Sequence, residues 1–305
     1  MKIVPYDEHN WKKDHPTGAI AFQHMLKGDP GTADNFMYIL GRQDGDFAMP
    51  PHRHNFDQIR LPLRGAMNHG RGIVVEEGQI GYFPEGLAYG PQDDPLREAK
   101  PGERMQLVLQ FGGASNYGFM SIEERREAWA ELGRQGSFDG PFYIRPDGKR
   151  EWGLNTVWKM VFGTKIRYPR ARYTGPIIAD PKCFHWLHLA GAPGVEHKYM
   201  GAFSERAVWI EMIKIRPNAV WSSQDPRARR LFVVLSGSGA IGVRPINYLT
   251  AVQAEPHELL ELRAKEELTL FLIGLPPVEQ PAVESEEYDF EEMPNKQSSP
   301  EEAAQ

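Results

Sequence analysis

The stretch HRHNFDQIRLPLRG, residues 52–65, places two histidines on alternate positions and runs into an apolar segment that ends in glycine. In a β-strand, successive side chains point to opposite faces, so residues two apart share a face. The alternation predicts that four side chains project from one side of an extended segment: His52, His54, Phe56 and Gln58. Two histidines in this register, directly after Pro50 and Pro51, indicate a functional site more strongly than an isolated histidine does.

The composition predicts a β-rich globular chain. The 305 residues suffice for one large domain or two of ordinary size, since domains run at roughly 100 to 200 residues. Hydrophobic residues make up 41% and charged residues 25%, and the 30 glycines and 25 prolines indicate many turns between short strands.

Charge and cysteine content exclude several classes of protein. The net charge of -6 and the pI near 6.0 provide no basic surface for nucleic acid. The N-terminus lacks the apolar core of a signal peptide, and no stretch approaches the roughly 18 apolar residues of a membrane helix. We therefore predict a cytoplasmic protein without membrane or nucleic-acid partners. Cys183 is the only cysteine, which excludes an intrachain disulfide and a thiolate metal cluster.

Two β-rich halves flank a different central segment. Strand-like runs such as QIRLPLRG and RMQLVLQFGG fill the first half, and RLFVVLSGSGAIGV and LTLFLIGLPP fill the second. Between them, SIEERREAWAELGRQG predicts one helix, which begins with a capping box of Ser121 and Glu124. The last residues are rich in Glu, Ser and Pro and predict a disordered acidic tail.

Two spaced motifs frame the first half. In the first, His-x-His is followed by three residues, a polar residue, six residues and glycine: His52, His54, Gln58 and Gly65. In the second, glycine is followed by five residues, Pro-x-Gly and two further residues before an aromatic one: Gly78, Pro84, Gly86 and Tyr89. This spacing resembles the cupin superfamily, whose small antiparallel barrels commonly hold one metal ion. The family has glutamate where Gln58 stands and histidine where Tyr89 stands.

The resemblance implies an all-β fold of two jelly-roll (cupin) β-barrels joined by a connector with one helix, a bicupin. We predict an N-terminal arm (1–29), a first barrel with the active site (30–115), a connector (116–194), a second barrel (195–277) and the disordered tail (278–305). The same template places Arg230 at the glutamate position of the second half. The second barrel is therefore predicted to have lost its metal site.

The retained motif residues predict a metal centre with ligands His52, His54, Gln58 and Tyr89. Imidazole suits Fe, Ni and Zn, and Mn is also common in the family, so a divalent ion of unknown identity is expected. Since these donors are neutral, the charge of the ion would remain uncompensated and would favour an anionic substrate. Tyr89, Gln58 and Arg60 are the predicted catalytic residues.

Two alternatives remain open at this point. The same polar cluster could work without metal, with His52 or His54 as the base and Tyr89 as the acid. It could also form a binding site without catalysis, or a purely structural cluster.

Further residues are predicted to contact a small-molecule substrate: Arg60, His69, Gln92, Gln106 and Gln110. Arg60 lies in register with Gln58, Gln106 and Gln110 share one face of a strand, and His69 follows the glycine turn. The leading functional hypothesis is a metal-dependent oxidoreductase of the dioxygenase type; the alternatives are a metal-free isomerase, epimerase or cyclase, and a small-molecule binding protein. Since cupins commonly pair through barrel edges, we also predict a homodimer.

Overall fold

The computed structural model describes residues 1–13, 20–43, 48–93, 103–140 and 142–278. Apart from its first residue, the predicted disordered tail lies outside these ranges. Neither helix in the described part of the chain has the length and hydropathy needed to span a membrane.

The described residues of the first half form twelve strands. They are β1 (Lys2–Val4), β2 (Ile20–Lys27), β3 (Phe36–Gln43), β4 (Ala48–Met49), β5 (His52–Arg53), β6 (Phe56–Arg64), β7 (Met67–Gly70), β8 (Ile73–Val75), β9 (Ile80–Phe83), β10 (Ala88–Tyr89), β11 (Gln92–Asp93) and β12 (Arg104–Gly112).

The described residues of the central segment form two α-helices and five short strands. They are α1 (Ile122–Gln135), β13 (Ser137–Asp139), β14 (Phe142–Ile144), β15 (Arg150–Trp152), α2 (Gly153–Phe162), β16 (Ile177–Ala179) and β17 (Leu187–His188), with a 3-10 turn (Pro181–Cys183) before β17.

The second half consists of nine strands. They are β18 (Val195–Ala202), β19 (Trp209–Ile215), β20 (Val220–Ser223), β21 (Arg229–Ser236), β22 (Gly239–Ile241), β23 (Arg244–Ile246), β24 (Ala251–Ala254), β25 (Leu260–Ala264) and β26 (Leu268–Leu275).

Each half folds into a barrel of antiparallel strands. The first barrel combines a six-stranded sheet, in the order β16-β9-β6-β12-β3-β2, with the pairs β5–β10, β4–β11 and β7–β8. The second combines a seven-stranded sheet, β1-β24-β21-β26-β19-β18-β17, with a four-stranded sheet, β20-β25-β22-β23. The predicted all-β, two-barrel fold is confirmed.

The two large sheets pack against each other through one apolar core. Leu61 and Leu107 of the first barrel share this core with Val233 and Phe271 of the second, and all four are nearly inaccessible to solvent. Because successive side chains of a strand point to opposite faces, the neighbours of these core residues along each strand point into the barrel to which the strand belongs. The interface thus uses one face of β6 and β12 and leaves the other for the cavity.

The central segment differs from the predicted connector. Two helices lie in its described residues where one was predicted, and its strands β16 and β17 join the large sheets of the first and second barrel. The predicted capping box of α1 is present, with the Ser121 side chain accepting from the Glu124 backbone N–H and the Glu124 side chain accepting from the Ser121 N–H. The N-terminal residues are not a separate arm, because β1 pairs with β24 and β2 pairs with β3.

The connector is fixed to the first barrel at a buried ion cluster. Asp57 and Glu85 are 0% and 1% exposed, and the guanidinium of Arg172 contacts both carboxylates. Gly86 lies beside this cluster with φ at +77°, and a Cβ there would come within 2.0 Å of the Pro169 carbonyl oxygen. The turn of the second motif, which contains Pro84 and Gly86, is thus packed directly against the connector.

Candidate active site in the first barrel

A cavity of about 530 Å³ lies inside the first barrel and is lined on one side by the connector. Its apolar wall comes from the strands, with Phe22, Ile39 and Val108 among its members. Met120, Ile122, Trp129, Leu154, Trp158 and Tyr168 of the connector also line it. The connector is therefore part of the site, which the sequence did not indicate; the only signal was the apolar run in WGLNTVWKMVFG.

Strand alternation places the polar side chains in the barrel. On β6, Asp57, Ile59 and Leu61 are buried on the side of the barrel interface, so Phe56, Gln58 and Arg60 project inward. On β12, Gln106 and Gln110 line the cavity, as does Gln92 of β11. These residues lie where the sequence predicted them.

The four predicted metal ligands come together. His52 pairs with Tyr89 across β5 and β10, and their ring centroids are 4.5 Å apart. The His54 ring centroid lies 5.0 Å from that of His52 and 5.9 Å from that of Tyr89. Gln58 Nε2 donates to the Tyr89 hydroxyl at 3.2 Å.

Arg60 takes the central place in this cluster. Its Nη2 donates to Gln58 Oε1 at 2.6 Å and to the Tyr89 hydroxyl at 3.3 Å, and its Nε donates to the same Gln58 oxygen at 3.2 Å. Within the described residues no carboxylate pairs with this guanidinium. Arg60 lines the cavity, whereas the nearly buried Gln58 and Tyr89 do not. In this arrangement Gln58 and Tyr89 hold the guanidinium of Arg60 by hydrogen bonds, and the catalytic roles assigned to them from the sequence stay predictions.

The three histidines of the cavity are kept neutral. Burial lowers the pKa of His52, His54 and His69, and the positive charge of Arg60 acts in the same direction. His52 Nδ1 lies 2.9 Å from the Pro50 carbonyl oxygen, which can only accept, so this nitrogen carries the hydrogen and Nε2 keeps its lone pair.

His69 is buried and not solvated, although a histidine next to a turn more often faces water. It is 1% exposed, and the Gln92 amide nitrogen lies 2.7 Å from its Nδ1. Since that amide nitrogen donates, His69 Nε2 carries the hydrogen, and this N–H has no acceptor among the described residues. A ligand oxygen would satisfy it.

The donor set does not fit a divalent ion. His52 and His54 suit a metal, but the two oxygen donors, of Gln58 and Tyr89, accept hydrogen bonds from a guanidinium whose charge would repel the ion. No carboxylate among the described lining residues compensates the charge. In the described ranges no group of three or more His, Cys, Asp and Glu side chains is arranged to hold a metal.

The Gln58→Glu variant distinguishes a metal centre from a site in which Arg60 binds an anion. Benzoate serves as the probe anion. A carboxylate at this position would pair with Arg60 and compete for its charge, so the affinity for benzoate should fall about tenfold without any gain of metal. Titration calorimetry and elemental analysis measure the two quantities. The Gln58→Leu control keeps the cation uncompensated and should lose less affinity. A rise in bound divalent metal in Gln58→Glu would instead support the predicted metal centre.

Within the described residues, the second barrel has no cluster of histidines comparable to that of the first. Apolar side chains such as Trp221, Phe232 and Leu270 fill its interior. Arg230, at the position of the motif glutamate, is 1% exposed and donates to Ser223 Oγ at 3.0 Å and to the Glu255 carbonyl at 3.3 Å. This cation binds the protein's own backbone and side chains.

Comparison with known proteins gives structural likeness only. No family model and no curated protein matches the sequence. GK1651 from Geobacillus kaustophilus aligns with a TM-score of 0.53 at 14% identity, over 92% of this chain and 96% of that one. Streptomyces albus HEPD with 2-hydroxyethylphosphonate and Fe(II) bound aligns with a TM-score of 0.55 at 10% identity, over 92% and 77% of the chains. A mutant of Bacillus subtilis oxalate decarboxylase aligns with a TM-score of 0.50 at 10% identity, over 90% and 77%. Identities this low carry the fold and not the reaction.

Proposed function

We propose that this chain, which has the two-barrel fold of the cupin superfamily, is a metal-independent enzyme that binds a small organic anion in its first barrel and moves a proton on it. The observation that carries the proposal is the guanidinium of Arg60, held by Gln58 and Tyr89 and exposed to the cavity without a carboxylate partner among the described residues. It supplies a fixed positive charge in the wall of the cavity.

His52 is the proposed base. Its Nε2 lone pair takes a proton from the carbon next to a substrate carbonyl or carboxylate, and the electrons of that C–H bond move onto the oxygen. The guanidinium of Arg60 stabilises the resulting negative charge, and the Pro50 carbonyl accepts from Nδ1 as the imidazole becomes charged. Return of the proton to another carbon gives an isomer, and return to the other face of the same carbon gives an epimer. Both connector helices contribute side chains to the wall of the cavity in which this step takes place.

Hydrogen–deuterium exchange tests this function. We expect chelator-treated protein to replace the hydrogen next to the carboxylate in at least one of a set of small carboxylic acids in D₂O, followed by proton NMR. His52→Gln should slow the exchange at least about 100-fold, as expected for loss of a general base. His185→Gln, which changes an exposed connector histidine, should have no effect. Exchange that persists in His52→Gln, or that requires added Fe(II) or Mn(II), contradicts the proposal.

The acid limb of the pH profile gives a second prediction. The base must be neutral, and burial lowers the pKa of His52 from the ordinary value of 6.5. The exchange rate should therefore stay constant as the pH falls through 6.5 and decline only at more acidic pH. A decline centred at or above that value contradicts a buried histidine base.

A metal-dependent oxidoreductase is the second candidate. It is favoured by the neutral imidazoles of His52 and His54, which face one cavity. Oxygen uptake that depends on added Fe(II) would favour this candidate, whereas saturable binding without any turnover would indicate a binding protein.

A further inference from the structure

The described wall of the first-barrel cavity contains several arginines and no acidic side chain. Among the described lining residues there is no aspartate or glutamate, while six arginines are present: Arg42, Arg53, Arg60, Arg104, Arg125 and Arg126. Such a cavity attracts anions and repels cations.

Two of these arginines stand out because they have no carboxylate partner within the described chain. Arg60 bonds only to neutral groups. Arg125 of α1 makes no ion pair with any described residue, and burial alone lowers the pKa of its guanidinium. The other four are engaged elsewhere: Arg42, for example, stacks on Trp11 at 4.4 Å and Arg53 on Tyr168 at 4.2 Å. A cation that is partly desolvated without a partner is costly, and a ligand anion would remove that cost.

The two arginines enter the cavity from different elements. Arg60 projects from β6 of the barrel, whereas Arg125 stands on helix α1 of the connector, and both line the cavity. Arg125 lies one helical turn after Ile122 and therefore on the same side of α1. Ile122 packs on the apolar cluster of the barrel interior that contains Ile39 and Val108. An apolar wall thus leads from the barrel interior to the helix that carries Arg125.

From this arrangement we infer that the natural ligand carries two anionic groups joined by an apolar spacer, with one group at Arg60 and the other at Arg125. The inference rests on the proposed function only in placing the ligand in the same cavity. Arg125 is then a specificity-determining residue that selects dianions over monoanions.

Binding of simple acids tests this inference independently of catalysis. The α,ω-dicarboxylates from succinate to sebacate are each compared by calorimetry with the monocarboxylate of equal carbon number. At least one dicarboxylate should bind about tenfold more tightly than its partner, as a charge-assisted contact predicts. Arg125→Gln should abolish this preference by lowering the affinity for the dicarboxylate to that of its monocarboxylate. Arg134→Gln, an exposed change on the same helix, should keep the preference.

Two results overturn the inference. One is that no dicarboxylate binds more tightly than its monocarboxylate, including the case that none binds. The other is that the preference survives in Arg125→Gln. If either occurs while deuterium exchange still depends on His52, the proposed function stands and only the dianionic ligand is excluded. If the wild-type protein shows no deuterium exchange but does prefer a dicarboxylate, the proposed function is excluded and the dianionic ligand is kept.

Discussion

Replacing Arg60 by methionine is expected to weaken benzoate binding about tenfold to a hundredfold and to slow the proposed proton exchange by a further factor of about 100 or more. Methionine has a similar length but no charge, so the cavity keeps its shape and loses its central cation. Gln58 retains a contact from Gln110 Nε2 at 3.5 Å, so the fold should be largely preserved. Calorimetry and NMR measure the two effects, and the melting temperature checks the fold.

The matched control is Arg64→Met, because Arg64 lies on the same strand but is exposed and outside the cavity. This variant should behave as the wild type. Arg60→Lys should retain part of the activity, since it restores the charge without the planar fork. Unchanged benzoate binding and exchange in Arg60→Met would rule out the assigned role of the guanidinium.

Replacing Arg172 by methionine is expected to lower the free energy of unfolding by about 3–5 kcal/mol near pH 8. The substitution leaves Asp57 and Glu85 buried without their cation. Burial and the charge of Glu85 already raise the pKa of Asp57 to about 7. Without Arg172 that pKa rises further, so at acidic pH a bound proton neutralises one carboxylate. The loss should therefore be smaller at pH 5 than at pH 8.

Urea denaturation at both pH values measures this effect. The control is Glu205→Gln, which removes an exposed partner of the same guanidinium and should change stability by no more than about 0.5 kcal/mol. An equal loss at both pH values, or a loss below about 1 kcal/mol, would mean that the buried carboxylates do not depend on Arg172.

The parts of the site that the sequence predicted follow from local rules. Alternation along HRHNFDQIR placed His54, Gln58 and Arg60 on one face, because strand geometry depends only on neighbouring residues. The capping box of α1 was predictable for the same reason. The contact of Arg60 with Gln58 and Tyr89 was not predictable, since a long side chain can extend towards a cavity or fold back along its strand.

Helix α2 shows where local rules fail. It begins at Gly153, and its N-cap residue, Trp152, makes no capping side-chain hydrogen bond. It also contains Thr156, Val157 and Val161, whose β-branched side chains lower helix propensity. Its stability comes from tertiary packing: Val157 and Trp158 are buried, and Trp158 also lines the cavity.

The homodimer and the cytoplasmic location stay predictions.

The metal content of protein purified without chelator tests the central claim most directly. Elemental analysis for Fe, Mn, Ni and Zn should find well below one ion per chain, and benzoate binding should be the same before and after dialysis against chelator. About one divalent ion per chain, lost in His52→Ala and accompanied by loss of benzoate binding in chelator, would contradict a site whose positive charge is supplied by Arg60.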